Sequence, residues 1–134
     1  MPEEIVVRDA GPADAEFLVR GNAAMALETE HLSLDLDRLR AGVRALFEDP
    51  SRGRYFIAEA GGRRAGQLMI TYEWSDWRNG VFWWIQSVWV EPELRGRGVF
   101  RALHSHVRSL ALSTPGVCGL RLYVEKSNER ARQT

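Results

Sequence analysis

The stretch from Val81 to Ala111 constrains the fold of this chain most strongly, because it predicts a buried strand, a glycine-rich turn and an amphipathic helix in succession. Eight of the ten residues from Val81 to Val90 are apolar, and β-branched and aromatic types dominate. Pro92 cannot extend a sheet ladder, so this central strand is predicted to end near Glu91. From Val99 onward the apolar residues recur at helical spacing.

The turn in this unit, Arg95-Gly96-Arg97-Gly98, has the properties of an anion-binding loop. Gly96 and Gly98 allow backbone conformations that other residues avoid, and they let a ligand approach the chain closely. The amides at the start of the following helix have no intrahelical partners, and the helix dipole favours an anion there. Arg95, Arg97 and Arg101 add fixed positive charge. The sequence therefore predicts a phosphate-binding loop.

Two common phosphate-binding motifs do not fit this turn. A P-loop requires Lys followed by Ser or Thr after its last glycine, where this chain has Val99 and Phe100. A dinucleotide-binding fold requires a third glycine, at the position that Arg101 holds. A purely structural connection is the remaining alternative, because a strand, a glycine-rich turn and a helix also occur where the turn binds no ligand.

The sequence Arg95-Gly96-Arg97-Gly98-Val99-Phe100 resembles the pyrophosphate-binding loop of the GNAT family of N-acetyltransferases, whose pattern is Q/R-x-x-G-x-G/A. Arg95 and Gly98 match its first and fourth positions, whereas Phe100 stands where Gly or Ala is usual. A bulky side chain is compatible with a backbone loop if it points sideways off the first helical turn. The resemblance, which extends over nearly the whole chain, implies that Arg95 to Arg101 bind the pyrophosphate of acetyl-CoA.

The same resemblance implies a path for the rest of acetyl-CoA. In this family the cofactor lies between the central strand and the strand after the helix, here Leu120–Val124, which splay apart. The pantetheine arm is expected to pair with the backbone of Val88, Trp89 and Val90, and an N–H near Val88 is the expected donor to the thioester carbonyl. Asn128 matches an asparagine that contacts the cofactor arm in many relatives. Its alternative role is the N-cap of a last helix.

Turn signals and periodicity predict the other elements. Strands are expected at Ile5–Arg8, Arg54–Glu59, Ala65–Glu73 and Leu120–Val124, and helices from Pro12 to near Glu28–His31 and at Leu34–Glu48, Val99–Ser113 and Glu129–Gln133. The order β-α-α-β-β-β-α-β-α is that of the GNAT family. It predicts an α/β, three-layer fold in which a mixed, largely antiparallel sheet carries helices on both faces. Residues 1–134 are expected to form a single domain.

The family fold usually continues beyond this last helix with a tyrosine that acts as general acid and with two closing strands. We therefore expect the chain to be a truncated version of the fold, with a short natural variant as the alternative. Either form would leave a sheet edge that pairing in a homodimer could cover.

The central strand contains neither of the residue types, Glu or His, that many relatives use there as general base. Glu28 and Glu30, in the predicted loop between the first two helices, are the preferred catalytic candidates. Two acids there could attract a cationic amine and relay its proton through water. Gln86 cannot act as a base but could hold a water molecule. The alternatives lie at the end of the third strand and just after it: Glu73 and Asp76.

Composition narrows the classes of function. The 134 residues carry 18 basic and 18 acidic side chains, a balance that gives no general attraction to nucleic acid or to an anionic membrane. The single cysteine, Cys118, excludes an internal disulfide and cannot form a zinc site alone, so no metal is predicted. No apolar run is long enough to span a membrane and the first residues are unlike a signal peptide, so a cytoplasmic location is expected.

Taken together, the sequence predicts an N-acetyltransferase that moves acetyl from acetyl-CoA directly to a primary amine of a small molecule or peptide. The alternative is a non-catalytic acyl-CoA-binding or dimerising module, which Phe100 and the absent closing segment would favour.

Overall fold

The computed structural model describes residues 4–122. In that part of the chain the strands are β1 (Ile5–Asp9), β2 (Arg54–Ala60), β3 (Arg63–Ser75), β4 (Gly80–Val90) and β5 (Val117–Leu122). The α-helices are α1 (Ala15–Glu30), α2 (Leu36–Glu48) and α3 (Val99–Ser113). The order β-α-α-β-β-β-α-β agrees with the prediction up to β5, and the predicted helix Glu129–Gln133 lies outside the described residues.

The five strands form one sheet in the order β1-β2-β3-β4-β5. The first three pairings are antiparallel, and β4 pairs with β5 in parallel. The sheet is thus mixed and largely antiparallel, which confirms the predicted class. The parallel pairing runs from Val81–Val117 to Ile85–Leu122 and leaves the last five residues of β4 beyond it.

Each face of the sheet has its own apolar core. The face toward α3 buries thirteen residues, among them Phe56, Leu68 and Leu103, whose exposed fractions are all 0%. The face toward α1 and α2 buries seven: Phe17, Leu18, Val19, Val43, Leu46, Tyr55 and Ile57. Helices therefore cover both faces, as predicted for a three-layer α/β fold.

Helix α3 begins and ends at the predicted residues. Gly98 caps its N-terminus with φ +87°, and Thr114 caps its C-terminus in an extended conformation. Its buried stripe consists of Val99, Leu103, Val107 and Ala111, which recur every four residues. Because of this spacing, one side of α3 packs on the sheet. The first turn of α3 follows the loop that leaves the end of β4.

The N-terminal part of the fold differs from the prediction. Pro12 starts a 3-10 turn, Pro12–Asp14, and not the α-helix, which begins at Ala15. The Asp14 carboxylate is only 3% exposed and accepts hydrogen bonds from Arg8, Arg64 and the Gly11 amide. These bonds hold the chain in the tighter turn before α1 starts.

The last described strand also starts earlier than predicted. β5 begins at Val117 and includes Cys118 and Gly119, which the sequence had placed before the strand. The Val81 amide donates to the carbonyl of Gly116 at 2.8 Å, and the ladder continues from there. Gly119 allows this pairing, because a Cβ there would lie 2.9 Å from the ring of Phe82.

Candidate active site

Six consecutive backbone amides lead into the first turn of α3. Gly96 and Gly98 adopt φ values of +81° and +87°, and the chain between β4 and α3 turns around them. Among residues 4–122, the N–H groups of residues 96–101 have no hydrogen-bond partner. The side chains of Arg97 and Arg101 are exposed beside these amides. The loop thus presents unpaired donors and positive charge to solvent, the donor set that suits a pyrophosphate.

Glycine is required at positions 96 and 98 by the backbone conformation and not by close packing. A Cβ added at Gly96 or Gly98 would meet nothing within 4 Å. Their positive φ values are unfavourable for other residues because Cβ then approaches the following carbonyl. The open space above both residues leaves the amides accessible to a ligand.

The end of β4 offers a second set of backbone groups. The Glu91 amide donates to Ala65 on β3 at 2.9 Å, and Trp89 stands opposite Gln67 in the same register. Because backbone groups alternate in direction along a regular antiparallel strand, those of Trp89 face β3, while those of Val90 face away. A shift in register interrupts this alternation just before Trp89. Of the three residues predicted to pair with pantetheine, Val90 therefore has an N–H that faces away from β3, while its carbonyl already accepts a hydrogen bond from Arg95.

Arg95 connects this strand end to α1. Its Nε donates to the carbonyl of Val90 at 3.0 Å, and one Nη donates to Glu28 at 3.1 Å. The guanidinium also lies 4.6 Å from the centre of the Trp89 ring. Arg95 is therefore bound by protein groups at the mouth of the loop, a role that no local sequence signal indicates. Within residues 4–122, Arg97 and Arg101 form no ion pair and remain available to a ligand.

The preferred acids lie in a helix and not in a loop, which corrects the prediction. α1 continues through Glu30, and His31 ends it with φ +55° while its amide bonds to Ala26. Glu28 and Glu30 therefore occupy the last turn of α1, because the helix does not stop at the polar run that follows Leu27. Glu28 pairs with Arg95 near the strand end, whereas Glu30 is exposed and has no ion pair within the described part of the chain.

Gln86 and the alternative acid Glu73 lie on the sheet face that carries α1 and α2. Gln86 donates to the Thr71 hydroxyl at 2.6 Å, which leaves its Oε1 without a partner among residues 4–122. Glu73 accepts from the Trp84 indole at 2.8 Å and lies 3.7 Å from Arg121. The structure thus groups Glu28 with the loop and Gln86 with β3. The alternative acid Asp76 is exposed in the β3–β4 turn. The predicted cofactor contact Asn128 lies outside the described residues.

A polar groove of about 590 Å³ lies near the start of α1 and does not include residues 96–101. Its charged lining residues are paired: Arg20 with Glu91 at 2.8 Å, Arg63 with Glu93, Arg64 with Asp14, and Glu59 with Arg8. Because its charges neutralise one another, this groove is a less suitable anion site than the loop before α3.

Three comparisons bear on the identity of this arrangement. The family model of the acetyltransferase (GNAT) family matches residues 23–134. The structure of a possible acetyltransferase from Clostridium difficile 630 is 41% identical, with a TM-score of 0.89 over 98% of this chain and 86% of that chain. No functionally curated protein matches.

More distant structures share the fold. An integron cassette protein from the mobile metagenome of Cole Harbour Salt Marsh is 25% identical, with a TM-score of 0.80 over 94% of this chain and 81% of that one. A predicted acetyltransferase from Clostridium acetobutylicum, whose structure contains acetyl-CoA, is 16% identical, with a TM-score of 0.76 over 97% of this chain and 87% of that one. Within the described residues of the present chain, no helix is long and apolar enough to cross a membrane.

Proposed function

The chain belongs to the acetyltransferase (GNAT) family, and we propose that it transfers acetyl from acetyl-CoA directly to a primary amine of a small molecule or peptide. One observation carries the proposal: the amides of residues 96–101 are unpaired within residues 4–122, and their loop follows the end of β4, where the Val90 N–H faces away from β3. The unpaired loop amides suit a pyrophosphate, and the backbone at the end of β4 suits the amide-containing arm of the same molecule.

The residues present fit acetyl-CoA as co-substrate. Gly96, Arg97, Gly98, Val99, Phe100 and Arg101 would hold its pyrophosphate through their amides. The Phe100 ring leaves the loop open, since it packs 6.0 Å from the ring of His104 one turn along α3. Val88 and Val90 would bond the pantetheine arm, with Trp89 packed beside them and Arg95 closing the mouth. Asn128 remains a proposed contact to the arm. When bound, acetyl-CoA supplies the activated acetyl group.

The chemistry joins the amine nitrogen to the acetyl carbon and breaks the bond from that carbon to sulfur. The amine must be neutral to attack, so its proton has to leave through a base, and the thiolate takes up a proton as it departs. Glu28 and Glu30 are the proposed base pair, and Gln86 would hold the water that carries the proton. The Val88 N–H would donate to the thioester carbonyl as negative charge develops there.

Direct transfer is favoured because the one cysteine is remote from the proposed reaction centre. Cys118 lies on β5 next to Gly80, so that a Cβ on Gly80 would be 3.1 Å from the Cys118 Cβ. Gly80 and Val88 are eight residues apart on β4, roughly 26 Å at the usual rise of a strand. An acyl-cysteine intermediate would therefore form far from the loop.

We expect the 134-residue chain to release CoA from acetyl-CoA in the presence of an amine, and not without one. The panel should contain small alkyl amines, a polyamine, free amino acids and a dipeptide with a free N-terminus. Thiol release measures turnover, and mass spectrometry detects the acetyl group on the acceptor. Saturable acetyl-CoA binding without turnover on any amine would overturn the enzyme proposal and support the non-catalytic acyl-CoA-binding alternative.

The proposed bases can be tested by a Glu28→Gln/Glu30→Gln double variant. Loss of general-base catalysis should lower kcat/KM for the amine by about 100-fold or more. The Arg95–Glu28 pair is exposed at 44% and 47%. It should contribute roughly 0–1 kcal/mol, so the acetyl-CoA Kd should change by no more than about five-fold. Glu48→Gln, at an exposed position on α2, is the matched control. A change in acetyl-CoA Kd with kcat intact would make Glu28 a structural anchor and not a base.

The remaining expectations belong to the same proposal. Residues 1–134 would act as a single domain in the cytoplasm, and a homodimer would cover a free sheet edge. Nucleic acid and membrane are not proposed as partners, since the net charge is zero.

A further inference from the structure

Gln67 is a buried amide whose position packing alone does not explain. It lies on β3 under α1 with an exposed fraction of 0%, and its Oε1 has no hydrogen-bond partner among the described residues. α1 leaves space for it at Gly21, where an added Cβ would come within 2.4 Å of that Oε1 and 2.9 Å of the Trp89 ring. An apolar side chain of the same size would avoid the cost of an unpaired buried acceptor.

The nitrogen of the Gln67 amide bonds to an irregular part of β4. Gln67 Nε2 donates to the carbonyl of Ser87 at 3.2 Å. The register shifts at the same place: Gln67 stands opposite Trp89 and Met69 opposite Gln86, so that two β4 residues face one on β3. Ser87 has φ +54°, a left-handed conformation that a serine keeps only when its surroundings impose it. The side chain of Gln67 thus supports a β-bulge at residues 87–88.

This hydrogen bond also sets the direction of one amide. The carbonyl of Ser87 and the N–H of Val88 belong to the same planar, trans peptide unit, in which the two groups point in opposite directions. When the Gln67 side chain holds the Ser87 carbonyl, the Val88 N–H is held facing away from that side chain. A freely turning peptide at a bulge would not keep this orientation.

We propose that Gln67 is a positioning residue, which fixes the Ser87–Val88 peptide so that the Val88 N–H faces the thioester carbonyl of the bound acetyl donor. The inference rests on the proposed acetyl transfer. It explains why β3 keeps a half-satisfied amide in its core, why α1 has a glycine above it, and why Ser87 tolerates a left-handed conformation. Gln67 touches neither donor nor acceptor and acts through the backbone of β4.

The test is a Gln67→Met variant, which keeps the length of the side chain and removes the donor. Loss of an aligned N–H donor in acyl transfer lowers kcat by about 100-fold or more, and we expect a fall of this order. The Kd of CoA, which has no thioester carbonyl, should stay within about two-fold of the wild-type value because the loop amides are untouched. The thermal midpoint should stay the same or rise. Asn22→Leu, which removes a buried amide of α1 itself, is the matched control and should leave kcat unchanged.

An amide NMR spectrum gives a readout that does not depend on turnover. In protein labelled with ¹⁵N-valine, the Val88 peak is identified by its absence in Val88→Ile. It should move between the CoA and acetyl-CoA complexes of the wild type, and this difference should disappear in Gln67→Met. If the wild type is active and Gln67→Met is equally active, the positioning role of Gln67 is overturned while the proposed function stands. A Val88 peak difference that persists in Gln67→Met has the same meaning. A wild type that binds no acetyl-CoA overturns the proposed function and this inference together.

Discussion

Gly98→Asp will abolish measurable acetyl-CoA binding while the fold remains intact. Gly98 caps α3 with φ +87°, and its amide is one of the six unpaired donors of the loop. A carboxylate there would stand among the phosphates and would displace the backbone from its donor geometry. Loss of about two charge-assisted hydrogen bonds, at roughly 1.5–3 kcal/mol each, predicts a Kd about 100-fold weaker or more. Calorimetric titration with acetyl-CoA measures this directly.

Gly116→Asp is a closely matched control. Gly116 also has φ +87° and nothing within 4 Å of an added Cβ, but it lies in the turn before β5. Both variants add the same charge and the same backbone cost, about 1–2 kcal/mol for a left-handed residue. Thermal melts should therefore shift alike, while only Gly98→Asp loses the ligand. Equal binding by wild type and Gly98→Asp, or equal loss in both variants, would show that the loop does not hold the pyrophosphate.

The sequence predicted best the boundaries of β4 and α3, where glycine or proline ends a strand or flanks a helix. Pro92 ends β4, and Gly98 and the turn around Pro115 bound α3 at the predicted residues. These residues act on the backbone locally, so their effect needs no knowledge of distant neighbours. The left-handed conformations of Gly96 and Gly98 in the loop before α3 were predictable for the same reason.

Features that depend on partners far along the chain were missed. Arg95 meets Glu28 across sixty-seven positions, and its predicted contact with the cofactor gave no hint of this pair. The bulge at Ser87 lies in a run of strong strand formers, and only its contact with Gln67, twenty positions away, reveals it. Glu28 and Glu30 were placed in the loop after a helix expected to end near Glu28–His31, whereas helix α1 continues through both. Local patterns hold no information about such pairings.

Asp14→Asn is expected to produce the largest loss of stability among the polar substitutions considered, about 2–4 kcal/mol at pH 7. The carboxylate is 3% exposed and bonds Arg8 at 2.8 Å and Arg64 at 2.7 Å, which ties β1 and the β2–β3 hairpin to the start of α1. Removing its charge takes the closest anionic partner from both guanidinium groups, and Arg8 keeps only Glu59 at 3.4 Å. The value lies below that of a fully buried pair because the Arg8 and Arg64 side chains are 36% and 41% exposed and can regain water. Urea unfolding at pH 7 measures it.

The same carboxylate makes stability depend on pH with a defined sign. The Arg8 hydrogen bond, the Gly11 amide and Arg64 hold the pKa of Asp14 far below its usual range, although burial opposes them. A lowered native pKa contributes stability above the unfolded value, about 3.9, and that stability is lost as pH falls through the native pKa. The difference in the free energy of unfolding between wild type and Asp14→Asn should therefore decrease steadily below pH 4. Glu16→Gln, which removes an exposed carboxylate paired with Arg40 at 2.9 Å, should leave the unfolding midpoint unchanged. A constant gap from pH 7 to pH 2.5, or an equal loss in Glu16→Gln, would contradict the role of the buried cluster.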